Sequence, residues 1–294
     1  MNPWSTGWPL RSGRDEGAGE NVSPPGEPAR TYNLMPPFWP QPAPRISGTA
    51  MPTGVHLSDG WSRTSSNLEL VLTGLAIMGL GAVSAVISYL IVWVIDGFTP
   101  VPLTALMLGL PLSPAPAHYA YWQAAVNLIM FGTFLVVLRL SPLAGYHAAE
   151  HMTVTAIERF GRVDPQIVAQ MPRAHPRCGT TLLAGFLPAL LVGAPLWDVH
   201  PEIAALIILV GWLARDKVGW VLQQYLTTKK PTPRQLEAGI RAGQRILAER
   251  ARRRPTSPAH RIWQRGFVQM IAGVLLAMLI LGHIYENLHV WLDF

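Results

Sequence analysis

Long apolar runs separated by short polar breaks dominate this chain. The first extends from about Leu68 to Ile95 and stops at Asp96-Gly97. A helix needs roughly 20 apolar residues to cross a bilayer core, so this run predicts a span with length to spare, and tilt or overhang is expected. The next stretch, Pro100 to Ala117, is apolar but broken by Pro102, Pro111, Pro114 and Pro116. The segment Leu103 to Leu110 is too short to cross, which predicts an interfacial loop. Further spans are predicted over about 119–138, ending at Arg139, over about 180–196, interrupted by Pro188, and over about 267–289. The stretch 203–226 is ambiguous, because Ile203 to Ala214 is followed at once by Arg215-Asp216-Lys217. Charges at depth are expensive unless paired or wet. The span therefore ends at this triplet, or continues to Leu226 with the charges paired in the bundle, or forms a re-entrant hairpin with the segment before it. The first reading is preferred.

The fold class predicted is an all-α polytopic membrane helix bundle of about five spans in contact with the lipid bilayer. Composition agrees: half of the 294 residues are hydrophobic and 14% are charged, against about a quarter charged in soluble domains. Residues 1–60 read differently. They hold 11 of the 27 prolines and no apolar periodicity, so a disordered tail is expected. It lacks the continuous apolar region of a secretory signal, and its Phe38-Trp39-Pro40 cluster offers a surface to protein partners.

Charge supplies the orientation. All 23 Lys and Arg residues fall in three segments: the tail before the first span, the stretch between the second and third, and residues 215–265. The loops at 96–118 and 197–202 and the C-terminal tail have none. Five spans put the basic segments on one side, which the positive-inside rule makes cytoplasmic. The expectation is an inner-membrane protein with a cytoplasmic N-terminus. Trp61, Trp93, Trp122, Trp197, Trp263 and Trp291 fall near span ends, where indoles favour the interface.

A basic surface helix is predicted over 232–254. Thr232 is its N-cap, Pro233 its first helical residue and Gln235 completes a capping box. Leu236, Ile240 and Leu247 recur at near-helical spacing among arginines. Such a helix lies on the anionic inner leaflet or on the protein's own cytoplasmic face, and is a second site for protein partners. No nucleic-acid partner is expected, because no recognition module accompanies the basic run.

The segment 139–178 carries the candidate chemistry and predicts a cytoplasmic metal-binding hairpin. His147 and His151 are four residues apart and share one helical face, with Glu150 beside them. His175 and Cys178 form a second short chelating pair. The cysteine is the chain's only one, which rules out an internal disulfide, and its thiolate is a soft donor that favours zinc. His147, His151, His175 and Cys178 together make a tetrahedral set. Two uses follow. In a zinc-dependent hydrolase His147, His151 and His175 hold the metal, Cys178 is a fourth ligand or a neighbouring group, and Glu150 acts as general base on a water, an arrangement that H-x-x-E-H shares with inverted zinc proteases. In a structural or assembly factor all four donors close the Zn2+ site.

At these residues the chain resembles the YqhQ-like family of bacterial and plastid membrane proteins. The matching blocks are Gly145-Tyr146-His147-Ala148-Ala149-Glu150-His151, His175-Pro176-Arg177-Cys178-Gly179-Thr180, and Leu222-Gln223 leading to Thr227-Thr228, continued by Pro231 and Gln235-Leu236-Glu237. Gly48 to Val55 matches that family's glycine-rich motif loosely. The resemblance implies a domain of unknown function described as a metal-dependent enzyme. It implies that the four donors act as a unit, and that Thr227, Thr228, Gln235 and Glu237 fold back near them.

Overall fold

The computed structural model describes residues 45–113, 118–250 and 257–292. The expectation for the tail falls mostly outside them, but its last part is corrected: β1 (Ser47–Met51) and β2 (Gly54–Ser58) form an antiparallel hairpin, with Ser47 opposite Ser58 and Met51 opposite Gly54. The fold is thus mainly helical rather than all-α. A two-stranded hairpin is marginal alone. This one is held from outside, because Ile46, Val55 and Leu57 join a buried cluster with Tyr146, Ile157 and Ile246.

Helix α1 (Asn67–Asp96) begins at a capping box in which the Ser66 hydroxyl accepts from the Glu69 amide and Glu69 accepts from the Ser66 amide. At its far end Asp96 accepts hydrogen bonds from the Leu103 and Thr104 amides. It thereby caps α2 (Leu103–Met107), the short helix that occupies the proline-flanked interfacial segment. Next come α3 (Tyr119–Leu140), α4 (Leu143–Phe160) and α5 (Pro165–Gln170). They are followed by α6 (Gly179–Pro188), a π-helical turn Ala189–Gly193 and α7 (Ala194–Leu196). Pro188 has no amide hydrogen to give the preceding turn, and the wide turn begins directly after it.

Helix α8 (Pro201–Leu222) runs without a break through Arg215-Asp216-Lys217 and ends in a second π-helical turn, Gln223–Thr227. The helix itself therefore continues past the charge triplet. Arg215 lies over the Trp212 ring, 4.6 Å from its centroid, and 3.9 Å from the Asp216 carboxylate, which offsets part of the charge locally. The chain closes with α9 (Pro233–Arg250), α10 (Pro258–Gln264) and α11 (Phe267–Leu292).

Among the described residues, four segments are long and apolar enough to cross a membrane: Asn67–Asp96, Tyr119–Leu140, Gly179–Leu196 and Phe267–Ile284. Helix α8, with its central charges, is not among them. These four expose large apolar side chains such as Val86, Leu128, Leu183 and Leu279, which in water would be a severe liability and in lipid is the ordinary outer surface.

Small residues set the two most extensive helix contacts. A Cβ on Gly74 would overlap the Met270 carbonyl, and one on Gly273 would overlap the Val71 carbonyl, so α1 and α11 cross backbone against backbone. Close approach through glycine is how helices gain packing in lipid, where hydrophobic attraction between them is absent. Helices α6 and α8 pack the same way, with Gly211 against the Pro188 ring and Gly219 against Thr181.

At one end of the spans sits a small polar headpiece. Helix α4 is buried over nearly its whole length, covered by the hairpin on one face and by α9 on another. Gly239 and Gly243 let α9 approach Thr153 and the Ala149 backbone. Of the two locations open to the basic helix, α9 takes the protein's own surface: Ile240, Ala242 and Ile246 are buried against the headpiece while Arg241 and Arg245 stay exposed, paired with Glu237 and Glu249.

Candidate metal centre

Helix α4 starts one residue after Ser141 and Pro142 break α3, and it carries His147, Glu150 and His151 on consecutive turns. The His147 and His151 ring centroids lie 4.3 Å apart. Cys178 reaches them from the N-cap of α6, where its sulfur accepts from the Thr180 amide at 3.4 Å. Its Sγ is 3.3 Å from His147 Nε2. Donor atoms of His147, His151 and Cys178 all lie within 4.8 Å of one another.

Backbone carbonyls set the tautomers. His147 Nδ1 is 3.0 Å from the Thr227 carbonyl, and His151 Nδ1 is 2.6 Å from the Arg173 carbonyl. A carbonyl only accepts, so Nδ1 carries the proton in both rings and Nε2 is left with its lone pair. That is how ligating histidines are normally oriented. Burial lowers the pKa of His151, with His147 adding to the effect, which keeps the ring neutral and able to donate a lone pair. Burial pushes the Cys178 thiol up, but the neighbouring His151 ring and the Thr180 amide outweigh it and the net shift is downward, toward the thiolate. The two imidazoles and the sulfur could together hold a metal ion.

His175 does not converge with these three. Its ring centroid is 5.8 Å from that of His151, Nε2 faces Glu158 Oε2 at 3.2 Å and Nδ1 accepts from the Arg177 amide at 3.3 Å. Arg177 also pairs with Glu158. Glu158 was not singled out from the sequence, although it lies seven residues after His151 and so on the same helical stripe. The His175 amide donates to Gln223 Oε1 at 2.8 Å, and Gln223 Nε2 donates to Thr181 at 2.9 Å. Gln223 therefore ties the turn after α8 to the loop holding the cysteine.

Glu150 is buried against β1. A Cβ on Gly48 would lie 2.5 Å from Glu150 Oε1, so only glycine admits the carboxyl there. Burial raises its pKa to about 8, with Cys178 adding to the rise and His147 and the Ala50 amide opposing it. Thr227 and Thr228 do fold back: Thr227 supplies the carbonyl to His147, and Thr228 is buried with its carbonyl accepting from Arg139. Lys229 adds to this anchorage by donating to the Leu140 and Ser141 carbonyls at the end of α3. Gln235 is buried beneath the start of α4, donating to the Pro142 carbonyl at 3.0 Å. Glu237 is exposed and paired with Arg241, away from the cluster.

These features define a class, a mainly helical protein with apolar span-length helices and a buried His/Cys group at one end. The family described as Protein of unknown function (DUF1385) matches residues 62–193, which include all three converging donors. The chain is also similar to "Uncharacterized protein YqhQ" of Bacillus subtilis (strain 168), with 27% identity over 228 residues, 68% of this chain and 69% of that protein. Both matches support a resemblance to the YqhQ-like proteins. No solved structure matches it.

Proposed function

We propose that this is a zinc-dependent membrane hydrolase whose metal is held by His147, His151 and Cys178, with Glu150 as the general base. The observation that carries this reading is the convergence of three donors, two with their Nε2 lone pairs freed by backbone carbonyls, beside a buried carboxyl. Zinc in a three-ligand site keeps a coordination position open and brings the pKa of a bound water to about 7. Glu150, which lines the same cavity as the three donors, is placed to take a proton from water and give it to a leaving group. Glu158, through His175 and Arg177, positions the loop that carries Cys178.

The alternative is a structural zinc site that staples the headpiece to the spans. It needs His175 as a fourth ligand, and both nitrogens of that ring are engaged elsewhere. The open set favours the hydrolase. In this reading the headpiece lies on the cytoplasmic side of the inner membrane, as the basic segments require, and α8 completes five spans.

Elemental analysis of the purified chain tests the metal. One zinc per chain is expected, and its loss in His147→Ala. Glu150→Gln then separates the two uses: zinc stays bound and hydrolysis of membrane-derived substrates stops if Glu150 is the base. Full activity in that variant would leave the structural role alone standing.

A further inference from the structure

The His/Cys group floors a cavity of about 530 Å³, within the range of built ligand sites. The cavity has two ends of opposite character. His147, Glu150, His151 and Cys178 line one end, beside Ser47–Ala50 of the hairpin. Ile77 and Leu80 of α1, Phe134 and Leu138 of α3, and Met270 of α11 line the other. All five of these apolar residues belong to candidate membrane spans. The same helices also expose Val83, Leu128 and Leu279, so the apolar half of the cavity lies among helices with apolar outer surfaces.

We propose that this cavity takes the acyl chain of a bilayer lipid, with the carbonyl end of the chain at the His/Cys group. The polarity of the walls selects this occupant. An extended peptide entering the apolar half would leave amide groups without partners, at a cost of a few kcal/mol each. A sugar or nucleotide would lose its hydration there for the same reason. A hydrocarbon chain carries no such groups, and it reaches the site laterally from the bilayer without crossing water. The assignment rests on the proposed hydrolase only in naming this lipid as the substrate. In that reaction the oxygen of water bonds to the acyl carbon, the bond from that carbon to the leaving oxygen breaks, and the proton accepted by Glu150 passes to the leaving oxygen.

The test uses the full chain in phosphatidylglycerol nanodiscs with a palmitoyl lysophosphatidylglycerol that carries a diazirine in mid-chain. Illumination followed by peptide mapping should give saturable labelling at Leu80, Phe134 and Met270, competed by the unmodified lipid. Filling the cavity by Leu80→Trp or, independently, Phe134→Trp should lower that labelling by roughly fivefold or more. Labelling confined to outward residues such as Val83 and Leu279, without saturation, would overturn the assignment on the wild-type chain alone. His147→Ala separates the two ideas: cavity labelling that persists without zinc upholds the lipid site. If zinc binds the wild-type chain but the cavity is not labelled, the lipid site fails and the metal centre stands.

Discussion

Gly48 is where the hairpin meets the candidate base, and replacing it with alanine perturbs that contact alone. The new methyl would sit 2.5 Å from Glu150 Oε1, 2.6 Å from Cγ and 2.7 Å from Cδ. Comfortable carbon–carbon contacts lie at about 3.5–4.0 Å, so the overlap is roughly 1 Å with three atoms at once. Neither side yields easily. Strand β1 is held in register by β2 and by the cluster around Leu57, while Glu150 is on a helix that is buried along its length. Over-packing of this kind costs about 1–3 kcal/mol, and the hairpin must lift or the carboxyl must turn away. Thermal unfolding of Gly48→Ala should therefore begin several degrees lower than wild type, while zinc content is unchanged because no donor is touched. Shortening Glu150 to alanine removes the atoms that clash. In a double-mutant cycle the pair should thus show a coupling of about 1 kcal/mol or more, the double mutant being more stable than the sum of the single effects implies. Additive effects would mean that β1 does not rest on Glu150, and the account of a covered carboxyl would fail.

Three further outcomes follow. His151→Ala should remove zinc, whereas His175→Ala should retain it and lower only thermal stability, since that ring faces Glu158; equal zinc loss in both, measured by elemental analysis, would restore the four-ligand set. His56 is buried in β2, and burial, with Arg63 nearby, lowers its pKa from 6.5 to about 4. The unfolded chain therefore takes up the proton first, and stability should fall as pH drops from about 6.5 toward 4, by up to about 3 kcal/mol at 1.36 kcal/mol per unit. His56→Gln should flatten that part of the denaturation profile, and a variant curve parallel to wild type would refute the assignment. Gly273→Leu should separate α1 from α11 through its overlap with the Val71 carbonyl, which a cysteine-crosslinking assay between the two helices would report; undiminished crosslinking would rule out the backbone-to-backbone crossing.

Spans, caps and the histidine pair on α4 were legible in the sequence because each is a local property. Apolar length alone marks a span, Thr232 three residues before Gln235 marks a helix start, and a spacing of four aligns two rings on one face. Resemblance extended this to Thr227 and Thr228, which have no local signal of their own. The short hairpin at 47–58 was hidden because two five-residue strands amid small and proline residues have little β signature; α4 and α9 supply the surface that orders them.

Ligand convergence is a different kind of fact, since it depends on where distant backbones meet. His175-x-x-Cys178 is a chelating pair by spacing, yet the turn at Pro176 sends sulfur and imidazole to different neighbours. Cys178 caps α6 and faces His147, while His175 turns to Glu158. Along the chain, composition and period determined which segments prefer lipid and which donors were available. Tertiary structure alone decided which donors share a centre and what covers Glu150, because those choices are made by carbonyls, glycines and carboxylates far away in sequence.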